Sequence, residues 1–155
     1  MPWSRDKVVV KIHSASDQYS SINQQQYNQL VFALKRMPTE DAFEALYAVF
    51  LDTSRPQKRP LDQEYAGKLL LATTPLCTRP PLPIIKGILH NYDFSVEELP
   101  LYFAAMFGKN AVLRMLEGLI SEELTPRERR SLETFVYWLF GPEKARALRS
   151  RAPTI

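Results

Sequence analysis

The chain has 155 residues, of which 45% are apolar, 24% charged and 11% aromatic, and 20 Lys and Arg stand against 17 Asp and Glu for a formal net charge of +3. A chain of this size buries roughly 70% of its unfolded surface, so it needs neither disulfides nor a metal to fold, and its composition excludes dominant disorder. No run reaches the ~20 apolar residues of a membrane span, Met1–Asp6 is not followed by a secretory-signal pattern, and Cys77 is the one cysteine, so a soluble cytoplasmic protein with a single domain over 1–155 is expected.

The first apolar run, Val8 to Val10 with Ile12, is β-branched and predicts an extended or irregular arm over 1–18. Tyr27, Leu30, Val31 and Leu34 then follow helical spacing, which should stop at Met37 before Pro38. Thr39 is placed to cap the next helix, whose stripe is Phe43, Leu46, Tyr47 and Phe50. A proline-bearing loop is expected over 54–61, with Asp62 as cap of a helix carrying Tyr65, Leu69 and Leu70. A second loop, 75–83, leads to a short helix that starts at Pro83 and holds Ile84, Ile85, Ile88 and Leu89.

Ser95 and Glu98 have capping-box spacing, with Phe94 and Leu99 as a hydrophobic staple and Pro100 where it should bend the helix. Gly108 can end that helix in a left-handed conformation, and Asn110 can cap the next, which carries Val112, Leu113, Leu116, Leu119 and Ile120. Thr125 and Glu128 form a second capping box with Pro126 at the first helical position, and the helix through Leu132, Phe135, Val136 and Leu139 should stop at Gly141-Pro142. A last short helix spans 143–150, followed by a tail, 151–155. The fold class is all-α: a bundle of about seven helices in antiparallel hairpins.

Chemical signatures are few. His13 and His90 lack the companions of a zinc site, and His90 beside Asn91 reads as a helix C-terminal partner. Cys77 has no histidine near it in sequence, and the five glycines form no phosphate-cradling loop. Adjacent carboxylates at Glu40/Asp41, Glu97/Glu98 and Glu122/Glu123 point about 100° apart on a helix and cannot act as a dyad. No catalytic, cofactor-binding or metal residues are therefore assigned. Should an enzyme hide here, His13, His90 and Cys77 are its obvious groups.

Charge is unevenly spread. From 91 to 123, Lys109 and Arg114 stand against six carboxylates, whereas 124–155 holds seven cations and three glutamates. The acidic stretch suits a basic partner surface; the basic segment, with Arg127 and Arg130, carries the alternative of a nucleic-acid-binding regulator. Aromatics are dense at Tyr102–Phe107 and Phe135–Phe140, which fits core packing or an interface.

The run Ser95-Val96-Glu97-Glu98-Leu99-Pro100-Leu101-Tyr102-Phe103-Ala104, continuing to Phe107-Gly108-Lys109, together with Ser131-Leu132-Glu133-Thr134-Phe135-Val136-Tyr137-Trp138-Leu139, resembles small all-helical bacterial immunity proteins that accompany polymorphic toxins, including those of contact-dependent growth inhibition. The likeness spans residues 83–141. It implies a non-catalytic cytoplasmic inhibitor that binds one cognate toxin. A partner surface is then expected from the acidic residues Asp93, Glu97, Glu98, Glu117, Glu122 and Glu123 and the aromatics Tyr102, Tyr137 and Trp138.

Overall fold

The computed structural model describes residues 2–18 and 22–151, and within them it is all-helical. Nine helices are formed among the described residues, against about seven expected. Contacts group the chain into two compact units, Met1–Thr78 and Arg79–Ile155, divided inside the proline-rich 75–83 segment. The predicted tail lies outside the described residues beyond Arg151.

The first unit holds α1 (Arg5–Gln18), α2 (Gln24–Lys35), α3 (Thr39–Leu51) and α4 (Arg59–Thr73). The extended arm expected over 1–18 is instead helix α1. Val8, Ile12 and Ala15 recur at i, i+4 and i+7 and are buried, while Val10 is exposed, so the run is amphipathic at helical rather than strand period. β-Branched residues cost a helix roughly 0.7 kcal/mol each at most, whereas burying Val8 and Ile12 contributes roughly 1.5–3 kcal/mol apiece. Burial against α3 and α4 wins. Ser4 caps the start, its hydroxyl accepting from the Lys7 amide at 3.1 Å.

Thr39 is the first residue of α3 rather than its cap; Pro38 precedes it, and the Thr39 hydroxyl accepts from the Leu76 amide at 2.7 Å. The 54–61 loop is shorter than expected because Arg59, Pro60 and Leu61 already belong to α4, with proline in a first-turn position where no intrahelical donor is lost. Asp62 therefore caps nothing and is buried in that first turn. The stripe Phe43, Leu46, Tyr47 and Phe50 of α3, with Leu30, Leu34, Tyr65, Leu69 and Leu70, fills the core. α4 ends at Thr73 and is capped by Thr74, whose φ of 42° is left-handed, unusual for a β-branched residue.

The second unit holds α5 (Pro81–Ile88), α6 (Glu98–Phe107), α7 (Lys109–Leu119), α8 (Pro126–Phe140) and α9 (Pro142–Arg149). Helix α5 starts at Pro81, so Pro83 sits in its first turn rather than at its first position. The Ser95–Glu98 capping box is not formed. Asp93 intervenes: its carboxylate takes the Ser95 amide at 3.1 Å and also the Ser95 hydroxyl, an Asx turn that leaves α6 to start at Glu98. Pro100 then occupies the third helical position and removes no intrahelical bond, so the expected bend has no cause. Asn110 lies inside α7, and Gly108 stands between α6 and α7 with φ 89°, a conformation that suits only glycine.

The Thr125–Glu128 capping box forms in full: the Glu128 amide donates to the Thr125 hydroxyl at 3.1 Å and the Thr125 amide to the Glu128 carboxylate at 2.9 Å. Gly141, at φ 98°, ends α8, and Pro142 opens α9. Helix α8 buries Leu132, Phe135, Val136 and Leu139, with Phe135 4.8 Å from Tyr92 and 6.2 Å from Phe103 between ring centroids.

Candidate functional site

Three polar or aromatic constellations stand out, two in the first unit and one in the second. The densest joins α1, the 52–58 loop and α4. Arg55 lies between Asp17, at 2.8 Å, and Asp62, at 2.9 Å, and also donates to the His13 carbonyl. His13 Nε2 stands 3.4 Å from Asp52 and 4.0 Å from Asp62. The Asp62 side chain is 6% exposed, and Arg55 is its ion-pair partner in that buried position.

The Arg55 guanidinium holds the Asp17 carboxyl below its ordinary value. At Asp52 burial pushes upward, but the Ser54 hydroxyl and amide, followed by His13 and Arg55, outweigh it and the net shift is downward. Arg55 is in turn pushed above its usual range by Asp62 and Asp17. Arg55 and its carboxylates hold one another in place, and among the described residues no three His, Cys, Asp or Glu side chains are placed to hold a metal ion. The cluster cross-links the unit. Sequence reading missed it because Asp17 and Arg55 are 38 residues apart.

The second constellation lies between the N-terminal segment and α2, where Pro2, Trp3, Gln29, Phe32, Ala33 and Arg36 line a groove of about 250 Å³. Phe32 is 63% exposed. The third is a groove of about 340 Å³ between α8 and α9, with Arg130, Thr134, Tyr137 and Arg146 on its walls. Glu133 also lines it but is paired to Arg149 at 2.9 Å.

The residues predicted to face a partner fare unequally. Tyr137 is 46% exposed, in edge contact with Trp138 at 5.2 Å. Trp138 is half-buried, its indole N–H donating to the Phe94 carbonyl at 3.0 Å. Tyr102 must be withdrawn: it is 0% exposed and packs edge-on against Phe103, because it falls on the apolar face of α6 with Leu99 and Phe103. Among the acids, Glu117 pairs with Arg151 and Glu122 with Lys86, at 2.6 Å, and Asp93 serves the Ser95 turn. Glu97 and Glu123 are exposed and Glu98 half-buried. The acidic stretch is thus partly neutralised within its own unit.

The basic segment is also engaged. Arg127 donates to the carbonyls of His90, at 3.0 Å, and Tyr92, at 2.8 Å, and lies over the Phe94 ring, where Arg130 also stacks at 5.1 Å. His90 itself is exposed. Cys77 is half-buried and forms no disulfide. No described helix is long and apolar enough to cross a membrane.

No protein-family model matches this chain, and neither a curated protein nor a solved structure matches it.

Proposed function

We propose that this chain is a protein-binding inhibitor, an immunity protein in type, which neutralises a cognate bacterial toxin by occupying its surface in the cytoplasm. One observation carries the reading: Tyr137 stands nearly half exposed over the α8–α9 groove while the apolar stripe of its helix, Leu132, Phe135, Val136 and Leu139, is buried. An exposed tyrosine on a rigid helix flanked by arginines has the make-up of an interface anchor, since Tyr and Arg dominate binding energy at such surfaces. The acids of the second unit support a contact less well, because Glu117 and Glu122 already have internal partners.

The nucleic-acid alternative is weakened for the same reason. Arg127, Arg149 and Arg151 are bonded to carbonyls or glutamates of the second unit, and a phosphate backbone would have to displace those bonds.

The test is capture of partners by the tagged chain from its own cells, at low salt and at about 0.5 M, with Tyr137→Ala alongside. A single stoichiometric protein kept at high salt by the wild type, bound at least about tenfold more weakly by Tyr137→Ala, supports the reading. Nucleic acid released by salt, or no retained protein, rejects it.

A further inference from the structure

We infer that the first unit carries a docking groove for an acidic segment of a protein partner, built by Trp3, Phe32 and the cations around them. Two aromatic rings line the groove, Trp3 from the N-terminal segment and Phe32 from α2. Cations are held against both rings: Lys7 Nζ is 4.5 Å and Lys11 Nζ 6.0 Å from the Trp3 ring centre, and the Arg36 guanidinium is 5.1 Å from that of Phe32. These are cation–π distances, so three positive groups lie against the rings that line the groove, and Arg36 lines it too.

Phe32 has no role in the core. The buried face of α2 is Leu30, Ala33 and Leu34, and Phe32 points away from it with nearly two thirds of its surface in water. Isolated exposed apolar residues need no explanation. One that lines a groove beside a tryptophan and three cations is different, because an occupant could cover ring and charge together.

Charge complementarity identifies that occupant. Residues 2–11 and 29–36 contain the cations Arg5, Lys7, Lys11, Lys35 and Arg36 and one carboxylate, Asp6. Asp41 of α3 pairs with Arg5 at 2.8 Å. A segment with glutamates or aspartates flanking an apolar side chain would place that side chain between Trp3 and Phe32 and its carboxylates against Lys7, Lys11 and Arg36. The inference rests on the protein-binding reading only in taking the occupant to be a protein.

Fluorescence anisotropy of the full chain with a short labelled peptide, glutamates around a central Leu-Phe pair, tests it; controls are the same peptide with Gln for Glu, an oligothymidylate and phosphatidylserine vesicles. The Glu peptide should bind at least about tenfold more tightly than the Gln peptide, and Phe32→Ala and the double change Lys7→Glu/Lys11→Glu should each weaken it by about tenfold or more. Phe32→Trp should keep binding, and circular dichroism should be unchanged in all variants. The inference is overturned if the Glu peptide does not bind, if the Gln peptide or the variants match it, or if the oligonucleotide or the vesicles bind more tightly at the same residues. Tyr137→Ala should leave peptide binding intact, so failure here and failure of the inhibitor reading are separable.

Discussion

The two units hold themselves together by different means. In the first, the ion pairs of Arg55 with Asp17 and Asp62, with His13 close to Asp52, tie α1 and the 52–58 loop to α4. In the second, the carboxylate pairs Lys86–Glu122, Arg149–Glu133 and Arg151–Glu117 lie towards the surface, and around the aromatic core polar side chains reach backbone carbonyls: Arg127 to His90 and Tyr92, Ser131 to Leu89 at 2.6 Å, Trp138 to Phe94, and the Tyr92 hydroxyl to Val96. A network of carboxylates titrates; a carbonyl does not. Burial pushes the Tyr92 hydroxyl far above its ordinary value, so it too stays a neutral donor. The division does not extend to the surfaces, since in both units the candidate contact is an aromatic ring with arginines or lysines beside it.

The largest expected effect falls on the second unit. Phe135→Ala should cost ~3–5 kcal/mol, because it opens a cavity between Tyr92 and Phe103, and chemical denaturation would read it. In the first unit Arg55→Ala should cost about 2–3 kcal/mol, below the range for a fully buried pair because Arg55 is 22% exposed. Changing Arg55 and Asp62 together to apolar residues should recover part of that loss, whereas a purely additive result would break the network account. Thr125→Ala should cost about 1 kcal/mol through loss of the capping box.

Acid sharpens the contrast. Asp17 and Asp52 have folded values below their unfolded ones, so their contribution is present above about pH 4 and is lost as pH falls through the lower folded values. Residue-resolved hydrogen exchange at about pH 3 and pH 6 should therefore show α1 and α4 losing protection on acidification while α8 keeps it. Equal loss in both units would remove the distinction.

Much of this architecture is legible in the amino-acid order, and what is not has a physical reason. The stripes Phe43–Leu46–Tyr47–Phe50 and Leu132–Phe135–Val136–Leu139 and the Thr125–Glu128 box are local patterns, and all are realised. Val8–Ile12 misleads because β-propensity is outweighed by a buried face that exists only once α3 and α4 are in place. Ser95 misleads because Asp93, two residues earlier, competes for its amide. For the sites, Tyr137 is readable as a ring off its helix stripe, and Phe32 gives the same signal against Leu30 and Leu34. The Arg55 network is not readable, since its members meet only through tertiary packing.

The most direct measurement is a hydrogen-exchange footprint of the whole chain, alone and bound to the partner it captures. The account predicts slowed exchange along 130–149, around Tyr137, and along 29–36, around Phe32, with the segments of the Arg55 network unchanged. Protection confined to the acidic stretch 93–98 and 117–123, with both aromatic grooves unchanged, would contradict it.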